Sequence, residues 1–313
     1  MEKCENNFET ISNFVGVIFG ILNSLISLLS LIGNSTIFYV FLKDRRLRKS
    51  SNLTLLSLAM TDLCGGLLHG PLFVPQLFAL EMRHNCPFNT VRRFFSAFLT
   101  GASMSCIALV SYDRYMHLSK GHQYTAYMTI RKTALLIVLC WMLPGLSPLM
   151  NYISIGHAFF SSVIFIYTFV MLFIIIKSYF TIMNIVKKKE LQLKQARSMA
   201  KNSGTDAVSA SRLRAGRAIA SVILCFILFY SPLAVYLALV AVSGLSGKAF
   251  LQQEHFDIIY IIIITVSLTN TIINPFIYYY RIPGFKETLL RRLGIARVRP
   301  SASLSLRVLE SNS

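Results

Sequence analysis

Seven long apolar stretches constrain the fold of this 313-residue chain more than any other feature. A helix crosses the apolar core of a bilayer with about 20 residues, each contributing 1.5 Å of rise, and every stretch is long enough. Soluble domains do not reach a mean hydropathy of +0.58 with only 14% charged residues. The sequence therefore predicts an all-α membrane protein, a bundle of seven transmembrane helices. These spans 1 to 7 are 14–42, 53–80, 94–116, 133–153, 159–186, 218–242 and 256–280.

The charge distribution predicts the orientation of the bundle. Lys and Arg number 31 against 13 Asp and Glu, and most lie after spans 1, 3 and 5 and in the tail. Positive loops stay in the cytoplasm, so the amino terminus is expected outside. The net charge of +18 then reflects orientation and attraction to anionic membrane lipids, and no nucleic-acid partner is expected.

Four regions follow from this orientation. Residues 1–13 form an extracellular amino terminus, and residues 14–280 form the seven-helix transmembrane domain. Residues 281–293 have the pattern of an amphipathic helix on the membrane surface, which we call helix 8. The Ser- and Arg-rich residues 294–313 are expected to be a disordered cytoplasmic tail. The basic segment 187–211, after span 5, predicts a mobile cytoplasmic linker.

Polar residues within the apolar spans are the main functional signal. Asp62 lies inside span 2, and a carboxylate there costs about 3 kcal/mol on insertion scales, so such residues are usually functional. Asn34 in span 1 also needs a partner within the protein. Asp113, Arg114 and Tyr115 end span 3 at the cytoplasmic surface. By itself, that last pattern is equally explained by Arg114 reaching lipid headgroups beside a solvated Asp113.

Taken together, these motifs resemble the rhodopsin-like (class A) G-protein-coupled receptors. The resemblance rests on motifs in order, each on its own span, and covers about residues 14–293. Within the family, the segment 274–285 is similar to adenosine receptors, the short outer loop after span 4 is similar to melanocortin receptors, and Arg92 matches a phosphate-binding position of lysophospholipid receptors. The motifs are Gly33-Asn34, Leu58-Ala59 with Asp62, Asp113-Arg114-Tyr115, Trp141, Pro232 and Asn274-Pro275-Phe276-Ile277-Tyr278.

The resemblance implies a receptor in the plasma membrane that activates a heterotrimeric G protein and also binds arrestin. Arg114 would meet Tyr179 and Tyr278 when span 6, hinged at Pro232, swings outward. The switch would comprise Asp113, Arg114, Tyr115, Tyr179, Arg212, Asn274, Pro275 and Tyr278. Asp62, Ser103, Asn270 and Asn274 would hold an allosteric sodium ion. A water-filled hydrogen-bond network without an ion is the alternative.

Three positions depart from the family pattern. Tyr230 stands where the family has a tryptophan, two residues before Pro232. Arg212 stands where many relatives have a Glu that pins the arginine matching Arg114, and this predicts signalling without ligand. Asn89 replaces the cysteine at the top of span 3, so the usual disulfide to the outer loop is not expected. A disulfide between Cys4 and Cys86 is one option, and two free thiols are the other.

The same comparison narrows the ligand class. Span 7 contains no Lys, and Leu268 stands at the Schiff-base position, so no retinal cofactor is expected. Ser96 in place of an Asp disfavours amines, and Leu237 in place of an Asn disfavours nucleosides. The predicted pocket is mostly aliphatic below two arginines, which predicts an anionic amphiphile or lipid-like small molecule. The alternative is that both arginines extend to lipid headgroups. The pocket comprises Arg92, Arg93, Ser96, Thr100, Leu233, Leu237, Ile264 and Ser267.

Other function classes fit less well. No Ser/His/Asp triad, phosphate-binding loop or metal-ligand motif is present, so an enzyme is not expected. An ion-coupled transporter could use a buried Asp, but seven spans do not divide into the two repeats typical of transporters. An odorant-type chemosensory receptor of the same fold remains an alternative within the receptor class.

Overall fold

A computed structural model describes residues 11–44, 50–150, 157–199, 223–242, 253–281 and 285–292. Within these ranges the chain is helical, apart from caps and turns. A π-helical turn, Gly65–His69, joins α2 to α3, and a 3₁₀ turn, Gly121–Gln123, precedes α6. The α-helices are α1 (Asn13–Lys43), α2 (Ser50–Cys64), α3 (Gly70–Phe78), α4 (Leu80–His84), α5 (Cys86–Lys120), α6 (Tyr124–Tyr127), α7 (Ile130–Met150), α8 (His157–Met199), α9 (Ile223–Val242), α10 (Gln253–Arg281) and α11 (Phe285–Arg292).

The helices match the seven predicted spans. Spans 1, 3, 5, 6 and 7 correspond to α1, α5, α8, α9 and α10, and span 2 corresponds to α2 and α3 with the turn between them. These six are long and apolar enough to cross a membrane. Span 4 forms the 21-residue α7, which packs against α5. The predicted seven-helix fold class is confirmed.

Two helices are longer than their apolar stretches. α5 begins at Cys86, where Asn85 caps it by accepting a 3.0 Å hydrogen bond from the Phe88 amide. α8 continues to Met199, so the prediction of a mobile linker is wrong for residues 187–199. The reason is that this part is rich in Lys, Gln and Leu, which favour helix wherever they lie. Residues 200–211 lie outside the described ranges.

Span 2 changes its helical register near its middle, at the π-helical turn between α2 and α3. Pro71 has no N–H, so the α-helical hydrogen bond to the Leu67 carbonyl is absent, and the wider π turn lies there. α3 then ends at Phe78, because Ala79 takes an extended conformation. π turns inside helices frequently occur at functional sites. Here the turn ends on His69, whose side chain is buried.

α5 lies at the centre of the bundle, packed against α2, α7 and α8, while α1 packs against α10 and α2. Close approach of α1 to α10 depends on Gly33. A Cβ atom at this position would lie 2.6 Å from Pro275 Cγ, so only glycine fits without a shift. The Gly33-Asn34 and Asn274-Pro275 motifs are thus neighbours in space.

A buried arginine closes the outer end of the bundle. Arg83 is 1% exposed and donates hydrogen bonds to the carbonyls of Gln76 (2.8 Å), Ile11 (3.1 Å) and Leu77 (3.2 Å). Asn89 donates to the Arg83 carbonyl at 2.7 Å and accepts a bond from Gln76. Asn89 therefore joins α3 and α4 to α5 through hydrogen bonds at the position where the family has a cysteine.

At the cytoplasmic end, α11 lies within the segment predicted as helix 8. Its first residue, Phe285, is 2% exposed and packs on Phe41 with ring centroids 6.3 Å apart. Thr288 donates a 2.9 Å hydrogen bond to Asp44, the residue that caps α1. These contacts fix the start of α11 against α1.

Candidate functional site

A polar cluster surrounds Asp62 in the interior of the bundle. Asp62 is 1% exposed, and its Oδ2 accepts a hydrogen bond from the Asn274 side chain. The Ser30 hydroxyl donates to the Asp62 carbonyl at 3.1 Å, and Asn34 donates to the Thr271 carbonyl at 3.2 Å. Asn34 therefore has the partners within the protein that were expected from the sequence. These hydrogen bonds connect α1, α2 and α10 to one another around Asp62.

Several oxygen atoms of this cluster have no hydrogen-bond partner among the described residues. They are Asp62 Oδ1, Asn34 Oδ1, Asn270 Oδ1 and Asn274 Oδ1, and all are buried. Buried polar atoms are normally satisfied, so a group of such oxygens around a carboxylate suits a small hard cation or ordered water. The residues present therefore fit the sodium ion that the resemblance implies.

Above this cluster lies a cavity whose walls combine polar side chains with a mostly apolar surface. About 40 Å³ is open to the centres of water-sized molecules. One ordered water needs about 10–15 Å³ on this measure, so about three waters, or an ion with water, can occupy it. Its walls are Thr61, Asp62, Gly65, His69, Ser96, Leu99, Thr100, Ser103, Tyr230, Ile264, Ser267, Leu268 and Thr271.

Tyr230 joins this cavity to the polar cluster. Its hydroxyl lies 3.1 Å from the Ser103 hydroxyl and either can donate, and both side chains are buried. The bond connects α9 to α5 across the cavity. Ser267, another wall residue of the cavity, donates a 3.4 Å hydrogen bond to the Phe229 carbonyl, which connects α10 to α9.

His69 is a cavity residue that sequence reasoning missed. Its ring stacks on Phe73 with centroids 4.9 Å apart, and its buried Nε2 has no hydrogen-bond partner in the described part of the chain. The available signal was a titratable residue seven positions after Asp62 on the same span. This signal was insufficient to predict a cavity residue, because the π turn determines the direction of the residue 69 side chain.

The cytoplasmic end of α5 forms a second site. Asp113 is fully buried, and its Oδ2 lies 3.7 Å from Arg114 Nε. Its Oδ1 accepts a 2.5 Å hydrogen bond from Tyr124 on α6. Burial raises the pKa of Tyr124, as does the bond to Asp113, so the phenol remains a donor. The earlier alternative of a solvated Asp113 is wrong, and Tyr124 was not predicted, because its loop carries no motif.

Comparison with known proteins identifies this arrangement. The family model described as 7 transmembrane receptor (rhodopsin family) matches residues 33–162 and 153–278. The matched regions include the Asp62 cluster, the cavity and the Asp113 site. The chain belongs to the rhodopsin family of seven-transmembrane receptors.

The relatives of this receptor share low sequence identity with it. It is 25% identical to Adenosine receptor A3 of Canis lupus familiaris over 291 residues, which are 85% of this chain and 87% of that protein. It is 32% identical to the rhodopsin described as GQ-coupled from Mizuhopecten yessoensis over 127 residues, 40% of this chain and only 26% of the relative. The Histamine H4 receptor of Rattus norvegicus is 35% identical over 125 residues, 39% of this chain and 31% of the relative.

Family membership decides among the function classes. The chain is a G-protein-coupled receptor in a membrane, with a G protein and a small-molecule ligand as partners. The expectation that it is not an enzyme is confirmed, because the family consists of receptors. The transporter alternative does not fit this membership.

Half of the predicted ligand-pocket residues line the receptor's cavity. Ser96, Thr100, Ile264 and Ser267 are in its walls, whereas Arg92, Arg93, Leu233 and Leu237 are not. Leu233 packs into the apolar core and Leu237 lies against it, so neither is in the cavity wall. Most of the surface of this cavity is apolar, and the predicted aliphatic ligand pocket stays a prediction.

Arg92 is buried rather than extended towards lipid. It is 2% exposed and lies near Tyr260 and His69. Extension of this arginine to headgroups is therefore excluded in this structure. On α5, Arg92 lies one turn outside Ser96, and Ser96 in turn lies one turn outside Thr100, so a single stripe of the helix runs from the arginine into the cavity.

The remaining switch residues of the receptor are only partly described. Tyr179 and Tyr115 pack against the apolar core. Asn274 and Pro275 lie on α10 beside α1. Arg212 and the Tyr278 side chain lie outside the described residues, so their predicted roles stay predictions.

The cysteines divide by location. Cys64, Cys106, Cys140 and Cys225 are free thiols within helices. Cys86, at the start of α5, is disulfide-bonded. Cys4 lies outside the described residues, so its pairing with Cys86 stays a prediction.

Proposed function

We propose that this receptor acts in the plasma membrane and converts binding of a small anionic ligand into G-protein activation through outward movement of α9. The observation that carries the ligand class is His69, a wall residue of the cavity that lies near Arg92 and whose buried Nε2 has no hydrogen-bond partner among the described residues. Binding sites of this family of folds lie between helices, where a few polar groups fix the orientation of a ligand.

The arginine and the histidine favour a negative group. Arg92 contributes a positive charge at low exposure, where electrostatic interactions are strong because water does not screen them. The His69 imidazole can donate one hydrogen bond to a carboxylate or phosphate oxygen. Hydroxyl groups of Ser96, Thr100 and Ser267 then suit the polar remainder of the molecule. The small volume of the cavity favours a small acid over the lipid-like amphiphile expected from the sequence.

A screen of defined acids tests the ligand class. Short carboxylates, phosphate monoesters and acidic lysophospholipids are applied to cells that express the wild type, His69→Phe, Arg92→Ala or Arg131→Ala at matched surface levels. His69→Phe keeps a ring on Phe73 but removes both nitrogens. Arg131 is exposed on α7 and serves as the arginine control.

We expect an active small acid to lose about tenfold or more in potency in the His69 and Arg92 variants, a difference of about 1.4 kcal/mol. The Arg131 variant should respond like the wild type. Equal potency in all four receptors removes His69 and Arg92 from the ligand site. Responses to lysophospholipids alone would return the proposal to a lipid ligand.

We also propose that Asp62, Asn270 and Asn274, with Ser103 nearby, hold a sodium ion in the resting receptor. The support is the set of buried oxygens without partners around the Asp62 carboxylate. A bound cation would supply the positive charge that offsets the cost of a buried carboxylate. No retinal cofactor is proposed, because α10 contains no lysine and Leu268 lies in the cavity wall.

The switch is proposed to act at the cytoplasmic ends of the same helices. Movement of α9, hinged at Pro232, would let Arg114 leave Asp113 and meet Tyr179 and Tyr278, which opens a groove for a G protein and then for arrestin. An odorant-type chemosensory receptor would use the same cavity and switch, and would differ in its ligand.

A further inference from the structure

Tyr230 has a hydroxyl group, whereas the tryptophan that the family has at this position carries no oxygen in its side chain. The hydroxyl approaches Ser103 Oγ at 3.1 Å, and Tyr230 and Asp62 are walls of the same cavity. Tyr230 also lies near Asn270 and within electrostatic range of Asp62. Both Tyr230 and Ser103 are less than 10% exposed, so bulk water does not separate them from the carboxylate.

The chemistry of a phenol differs from that of an indole. An indole has one N–H donor and no lone pair for a cation, whereas a phenol oxygen donates one hydrogen bond and retains lone pairs. If Tyr230 donates its proton to Ser103 Oγ, its lone pairs remain for a cation beside Asp62. The oxygens of Asp62, Asn270 and Asn274 without partners supply the rest of an oxygen-rich shell.

We propose that Tyr230 is a direct ligand of the cation held at Asp62, so that in this receptor the helix that moves also holds the ion. This inference rests on the proposed sodium site. Asp62 is on α2, Ser103 on α5, Asn270 on α10 and Tyr230 on α9, two residues before Pro232. The cation is therefore bound by four helices at once.

A consequence for regulation follows from linkage. A ligand shifts a conformational equilibrium only by its difference in affinity for the two states. Outward movement of α9 withdraws the Tyr230 oxygen, so the ion binds the inward conformation more tightly. Sodium then opposes activation through a bond to α9 itself, and activation weakens sodium binding by the same factor.

The test uses sodium binding by purified full-length receptor in detergent. Thermal unfolding is followed as NaCl replaces choline chloride at constant ionic strength, with KCl as the selectivity control, and ²³Na line broadening reports binding directly. The variants are Tyr230→Phe, which keeps the ring but lacks the oxygen, and Tyr230→Trp, which is larger and also lacks it. Asp62→Asn removes the central carboxylate.

We expect the wild type to be stabilised by sodium, and Asp62→Asn not to be. Both Tyr230 variants should need about tenfold more sodium for half of the effect, equivalent to about 1.4 kcal/mol. One variant has a smaller side chain than tyrosine and the other a larger one. If one of them fails to fold, the other still tests the proposal.

Two results would overturn the proposal in distinguishable ways. If the Tyr230 variants unfold at a lower temperature but keep the wild-type sodium midpoint, the hydroxyl only bonds Ser103. The sodium site then stands and only this inference fails. If the wild type itself shows no sodium effect and no ²³Na broadening, the sodium site and this inference both fail.

Discussion

Tyr124 holds Asp113 through a 2.5 Å hydrogen bond, and both side chains are buried at the cytoplasmic end of the bundle. The bond joins the short α6 to Asp113, the acid that precedes Arg114. The other carboxylate oxygen of Asp113, Oδ2, lies 3.7 Å from Arg114 Nε. A buried carboxylate needs such donors, because loss of solvation is costly unless hydrogen bonds replace water. Tyr124 therefore helps to fix the charge that neighbours the switch arginine.

Removal of this donor should weaken the inner end of the receptor. Tyr124→Phe leaves Asp113 Oδ1 buried with one partner fewer, at a cost of about 1–3 kcal/mol. We expect a lower unfolding temperature in detergent and a higher basal second-messenger output, since Asp113 is then less firmly placed beside Arg114. Tyr127→Phe is the control, because Tyr127 lies on the same helix and is 44% exposed. Identical behaviour of the two variants would contradict this role.

The outer end should depend on the shape of Arg83 as well as on its charge. Arg83→Lys keeps the charge, but a single ammonium cannot reach the carbonyls of Gln76, Ile11 and Leu77 together. We expect a loss of about 1–3 kcal/mol, measured as a lower unfolding temperature and reduced surface expression. Glu81→Gln, on the same short helix but exposed, is the control. A lysine variant as stable as this control would show that the three bonds add nothing.

Arg212 is expected to raise basal activity, because an acid at this position would pair with Arg114. Arg212→Glu should therefore lower the second-messenger output measured without ligand at matched surface expression. Arg214→Glu makes the same charge change two residues away and should leave the basal output higher than Arg212→Glu does. Wild-type output no greater than that of mock-transfected cells would count against ligand-independent signalling.

The disulfide at Cys86 predicts a specific peptide. Digestion of non-reduced receptor should yield a fragment that links Cys4 to Cys86, and reduction should separate it. The four cysteines within helices should label as free thiols after unfolding. Free thiols at both Cys4 and Cys86 would exclude the pairing. The orientation predicted from the loop charges places both positions on the oxidising side of the membrane, where disulfides form.

The membrane fold was largely predictable from the chain. Span lengths were readable because the apolar core of a bilayer requires about 20 apolar residues from each helix, whatever its neighbours. The ends of α5 and α8 were less predictable, since both helices extend beyond the apolar region as polar helix. There, capping by Asn85 and helix propensity determine the boundary instead of hydropathy.

The functional sites were predictable only in part. Asp62 was identified because a carboxylate inside a span is costly, and Asn274 because it belongs to a motif of the family, and the two side chains do bond each other. The tertiary structure added Tyr124 at Asp113 and His69 in the cavity. No local sequence pattern predicts either role. Tyr124 reaches Asp113 because the chain after α5 folds back against that helix, and the direction of His69 depends on the π turn.

By itself, the sequence determined the helical membrane fold, the orientation expected from its loop charges and the family, because hydropathy, loop charge and motif order are properties of the chain alone. Tertiary structure decided which of the predicted pocket residues share a cavity and that Arg92 is buried. The physical reason is that helix rotation and packing select the inward face of each helix. The 3.1 Å approach of Tyr230 to Ser103 joins residues 127 positions apart, and no local pattern encodes such a distance.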